Sequence, residues 1–149
     1  MTEVLFYHLQ HQTLDHVLPL LLEKSIQREW ACLVRCGSEQ SQEHLNNYLW
    51  QYSETGFLPH GTEADGDPEF QPILLTTKAE ALNDADVCFV VDGAEPFDIG
   101  RFERVVYMFD GRNEEKVQEA RAQWKSIKQT EHEATYWQQD ASGRWEKKA

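Results

Sequence analysis

The 149 residues, 40% of them hydrophobic and 11% aromatic, suit a single globular domain with one ordinary core and fall outside the disordered class. A formal net charge of −12 excludes broad electrostatic adhesion to nucleic-acid phosphates, which needs a basic surface. The longest apolar stretch, Val17-Leu18-Pro19-Leu20-Leu21-Leu22, is far short of the roughly 20 residues of a membrane-spanning helix, and Met1-Thr2-Glu3 lacks the basic start of a secretory signal, so the chain reads as cytoplasmic with no membrane partner.

Val4-Leu5-Phe6-Tyr7-His8-Leu9 reads as a first strand buried on both faces. Thr13 then caps a helix whose apolar face is Leu14, Val17, Leu18, Leu21, Leu22 and Ile26, with Pro19 expected to kink it or move its start. Trp30 to Cys36 is a second strand, and Gly37-Ser38 supplies a turn and an N-cap for a helix from about Glu39 to Tyr52. The segment at about 56–72 holds Pro and Gly among acidic residues and is expected to be a long surface loop. Three core strands follow: Ile73-Leu74-Leu75, Val87 to Val91, and Arg104 to Phe109. Asn113 caps a helix to about Gln129, with Glu114 and Glu115 in its first turn and Lys125 and Lys128 near its end, as the helix dipole favours. A last strand, Ala134 to Gln138, precedes a polar tail at about 140–149. Buried strands alternating with helices predict a Rossmann-like three-layer α/β fold, with a mostly parallel sheet and helices on both faces.

Such a fold invites a nucleotide-binding reading, but the phosphate signatures are missing. After the first strand the chain reads His8-Leu9-Gln10-His11-Gln12-Thr13 rather than a glycine-rich turn, and no G-x-x-x-x-G-K-[ST] occurs. No cofactor is expected. Asp92-Gly93 and Asp110-Gly111 each follow an apolar strand. Two carboxylates at strand ends could hold Mg²⁺ for phosphoryl transfer, and Asp-Gly is equally a favoured turn pair. The turn is the favoured reading, because no Lys, Thr or further carboxylate pattern completes a phosphatase site; a Mg²⁺-dependent phosphoryl-transfer enzyme is the alternative. His8 and His11 have no supporting ligand spacing, so no metal site is expected. Cys32 and Cys36 share a strand face roughly 13 Å apart, too far to bridge, and with Cys88 they read as reduced, buried thiols.

Residues 1–110 carry 6 Lys or Arg against 19 Asp or Glu, whereas residues 111–149 carry 8 against 7. On the helix after Asn113, Ala120, Trp124 and Ile127 define the apolar side, with Arg121, Lys125 and Lys128 in a stripe beside it. By spacing alone such a stripe is most often a solvated face; next to aromatic surface it also suits an acidic peptide that ends in an apolar group. Trp50, Phe57, Leu58 and Pro59 place large apolar groups around a helix end and a loop, as either a partner site or a lid on the core.

These same segments carry a resemblance that covers nearly the whole chain. Phe6-Tyr7-His8-Leu9, the block from Trp50 to Phe57-Leu58-Pro59-His60, the strand Phe102-Glu103-Arg104-Val105-Val106 and the helix Ala120-Arg121-Ala122-Gln123-Trp124-Lys125 resemble, in that order, the chi subunit of bacterial DNA polymerase III. The resemblance implies a replisome accessory subunit without intrinsic activity, which contacts nucleic acid only indirectly. It implies two protein partners: the acidic, Phe-ending C-terminal tail of single-stranded-DNA-binding protein, and the psi subunit of the clamp loader. Carried onto this chain, the tail site falls on Arg121 and Lys125 with Trp124 and Phe109, and Lys128 extends it; the psi-type contact falls on Trp50, Phe57, Leu58 and Pro59. The family's basic residue one turn before the arginine aligns here with Val117, and Lys116 is shifted by one position onto another face.

Overall fold

The computed structural model of the chain describes residues 2–10, 12–51, 59–140 and 142–149. Strands β1 (Glu3–Leu9), β2 (Cys32–Cys36), β3 (Gly61–Thr62), β4 (Ile73–Thr76), β5 (Val87–Val91), β6 (Arg104–Asp110), β7 (Glu133–Gln139) and β8 (Trp145–Lys147) form one sheet in the order β3-β4-β2-β5-β6-β1-β7-β8. Every pairing is parallel except β7 with β8. Helices α1 (Leu14–Gln27), α2 (Glu39–Gln51) and α3 (Glu114–Lys128) supply crossovers.

Alternation along each strand divides the interior into two cores. Leu9, Val34, Leu75, Phe89 and Met108 point to the face covered by Val17, Leu18 and Leu22 of α1 and by Leu45 and Leu49 of α2. Val4, Phe6, Leu33, Val90, Tyr107 and Phe109 point to the other face, where α3 inserts Ala120 and Ile127. The expected Rossmann-like three-layer arrangement is what the chain adopts. β1 and β6 lie side by side and parallel, yet the chain leaves β1 for α1 on one face and β6 for α3 on the other. That reversal is a topological switch point, which opens a crevice at the carboxyl ends of the two strands.

Local chemistry explains the boundaries. Asn113 caps α3 with its side-chain oxygen, accepting from Glu115 N at 3.1 Å and Lys116 N at 3.4 Å. Thr13 has the extended backbone of an N-cap but makes no side-chain cap hydrogen bond. Pro19 neither ends α1 nor moves its start: it lies inside the helix and is buried. The part of the acidic loop that is described carries local order. Thr62 accepts from Ala64 N at 3.2 Å to cap a 3-10 turn at Glu63–Asp65, and a second turn spans Pro68–Phe70. The polar tail also carries structure, because β8 zips antiparallel onto β7 and its Trp145 ring lies 4.8 Å from that of Tyr7. Cys32, Cys36 and Cys88 are free and buried on the neighbouring inner strands β2 and β5, where burial pushes each thiol up to about 12. No helix among the described residues is long and apolar enough to cross a membrane.

Candidate functional site

α3 lies on the sheet with Ala120 and Ile127 inward, so residues one position on from these turn outward along its side. Arg121, Lys125 and Lys128 are exposed there, and neither Arg121 nor Lys125 has an ion-pair partner among the described residues. Trp124 stands beside them, partly buried, edge-on to Phe6 at 5.3 Å and to Tyr136 at 5.8 Å between ring centroids. Lys128 places its Nζ 5.4 Å from the centre of the Trp124 ring, a cation–π distance. Phe109 belongs to the same cluster but only 5% of it is exposed, so it forms the floor beneath the aromatic surface. Its ring is 5.0 Å from His8 and 6.1 Å from Tyr136.

His8 and Tyr136 are part of this cluster and were not singled out for it from the sequence. Their proximity comes from β7 joining the far edge of β1, a pairing that no local pattern announces. His8 Nδ1 lies 2.6 Å from the Tyr136 hydroxyl. Burial holds the His8 imidazole below its ordinary range; the Gly111 backbone favours its proton, while Arg121 opposes it and Asp110 favours it more weakly. The Gly111 contact lacks hydrogen-bond alignment, since His8 Nε2 is buried without a partner. Gly111 has to be glycine: a Cβ there would come within 1.9 Å of the His8 ring and 2.9 Å of the Leu9 carbonyl oxygen. Tyr136 is raised by burial, with Arg121 acting against that rise. Arg121 therefore lies close enough to both groups for its charge to be felt.

Val117, where the resemblance leads one to expect a basic residue, packs against the core on this face. Lys116 instead lines the switch-point crevice, with its Nζ 3.7 Å from Glu119 Oε2. That crevice has a volume of about 310 Å³ and contains both Asp92 and Asp110. Asp110 is occupied as a turn acceptor: its Oδ1 takes Arg112 N at 2.9 Å and Arg112 Nε at 3.2 Å. Asp92 sits in the left-handed region at φ 51°, followed by Gly93 at φ 81°, a tight turn at the end of β5. Among the described residues, no three His, Cys, Asp or Glu converge as a metal site would require.

Trp50 lies elsewhere, at the end of α2 and so on the opposite face of the sheet from α3. It is 57% exposed and its ring is 4.5 Å from that of His60, whose Nε2 lies 3.2 Å from the Asn46 carbonyl oxygen. Pro59 is half-buried, while Phe57 and Leu58 fall outside the described residues. The chain thus gathers Arg121, Trp124, Lys125, Lys128 and Phe109 into one place and keeps Trp50 apart from them.

A curated relative from Rickettsia prowazekii (strain Madrid E), described as "Probable DNA polymerase III subunit chi", is 30% identical over 105 residues, which is 70% of this chain. The matched region covers 62% of that relative's length. The family described as "DNA polymerase III chi subunit, HolC" matches residues 1–135, from the first strand through α3 into β7, and the chain belongs to that family.

Proposed function

We propose that this chain is a non-catalytic connector in replication, holding the acidic, Phe-ending tail of single-stranded-DNA-binding protein beside α3 and a psi-type clamp-loader subunit at Trp50, Phe57, Leu58 and Pro59. The observation that carries the tail site is the pair of cations, Arg121 and Lys125, without ion-pair partners among the described residues, beside Trp124 on an aromatic floor in a chain of net charge −12. The planar guanidinium of Arg121 suits a bidentate contact with the tail's terminal carboxylate, and the Phe ring packs beside Trp124. An interface this small gives roughly micromolar affinity that falls as salt rises.

Calorimetry with the tail peptide tests this. Arg121→Glu replaces attraction with repulsion and should nearly abolish binding, whereas Arg121→Lys keeps the charge without the fork and should weaken it. Unchanged affinity in folded Arg121→Glu protein removes the basis for the site. The phosphoryl-transfer alternative has less support, since Asp110 is engaged by its own turn. Nucleotide turnover by the pure protein, abolished in folded Asp110→Asn, would restore it.

A further inference from the structure

A second cation-rich cavity lies on the α1 face of the sheet, away from α3. Its volume is about 390 Å³. Lys24 and Arg28, one helical turn apart near the end of α1, form one wall, and Arg104 at the start of β6 forms the other. Tyr7 and Leu21, both partly exposed, make an apolar floor between them, over the buried Val87, Phe89 and Val106.

The two arginines are held in place. The guanidinium carbons of Arg28 and Arg104 lie 5.0 Å and 5.3 Å from the centre of the Trp30 ring. Arg104 also faces Glu3, Nε to Oε1 3.1 Å, as an ion pair without hydrogen-bond alignment. Lys24 and Arg28 have no ion-pair partner among the described residues, although Asp and Glu outnumber Lys and Arg by 26 to 14. The negative end of the α1 dipole favours cations at its last turns, but it accounts neither for Arg104 across the gap nor for the apolar floor.

We propose that this cavity binds an acidic segment of a partner protein that carries an aliphatic side chain: carboxylates between Lys24, Arg28 and Arg104, and the aliphatic group on Tyr7 and Leu21. Charge complementarity selects an anion. The Trp30 ring selects a peptide over a nucleic acid, because two guanidiniums already occupy it and it offers no stacking platform to a base. Residues two apart on an extended peptide share a face and are separated by about 6.6 Å, close to the one-turn separation of Lys24 and Arg28, so two carboxylates and an aliphatic residue at alternate positions all face the cavity.

The probe is a pentapeptide, Glu-Ser-Asp-Ser-Leu, acetylated and amidated so that it has no terminal carboxylate to offer Arg121, and its two carboxylates and Leu share one face. Nuclear magnetic resonance titration should show a saturable shift of the Trp30 indole N–H, with a Kd of about 100 μM. The double variant K24E/R28E should weaken binding at least tenfold, the neutral K24Q/R28Q should fall between, and R121E should bind as the parent does. Both substituted residues are exposed, and circular dichroism checks that the variants remain folded. No saturable Trp30 shift, or unchanged binding in folded K24E/R28E, overturns the proposal. Tighter, charge-dependent binding of a thymidine hexanucleotide than of the peptide overturns it in favour of a nucleic-acid site.

Discussion

His8 is a residue whose environment was set by distant parts of the chain. Arg121 faces it from α3, Asp110 from the end of β6 and Tyr136 from β7, and it is nine-tenths buried among them. Because burial and Arg121 lower its folded pKa, the unfolded chain binds this proton more readily than the folded one. Stability is therefore full above the unfolded value near 6.5, falls as the pH drops below it, and levels off once the folded group is also protonated. Urea unfolding between pH 8 and pH 5 should show this slope in the parent and a flatter one in His8→Gln. An identical slope in the two proteins would mean that His8 is not the group responsible.

Among the elements, α3 was the most legible. Asn113, two glutamates, a three-and-four apolar spacing and terminal lysines all agree on its place and facing, and every one is a local signal. The order of the sheet was less legible: apolar runs identify buried strands but not their neighbours, so the meeting of His8 with Tyr136 had no sequence signal. β8 was missed because three residues, Trp145-Glu146-Lys147, are too few to show alternation and are flanked by charge. It nevertheless bears on the candidate site. Lys148 N donates to the Tyr136 carbonyl at 2.7 Å, and Tyr136 N donates to the Ala149 carbonyl at 3.2 Å. Removing residues 142–149 should expose β7 as an edge, strip Trp145 from Tyr7 and cost about 1–3 kcal/mol, together with weaker tail-peptide binding. A thermal melt that matches the parent would show that β8 contributes nothing to stability.

At the scale of the molecule, Trp50 and the α3 stripe lie on opposite faces of one sheet, which leaves room for both proposed partners at once. The net charge of −12 works against a third, direct contact with DNA, and the positive stripe on α3 is too short to reverse it. Fluorescence anisotropy with a single-stranded oligonucleotide at physiological salt should show no binding without the tail-bearing partner; tight binding would contradict the connector reading. The three thiols have a consequence of another kind. Cys32, Cys36 and Cys88 sit on the inner strands β2 and β5, and each is held protonated at neutral pH with no more than 2% of its surface exposed. Alkylating reagents attack the thiolate, so the native molecule is chemically silent toward them. Loss of thiol groups over time would then count openings of the central sheet and serve as a built-in clock for unfolding.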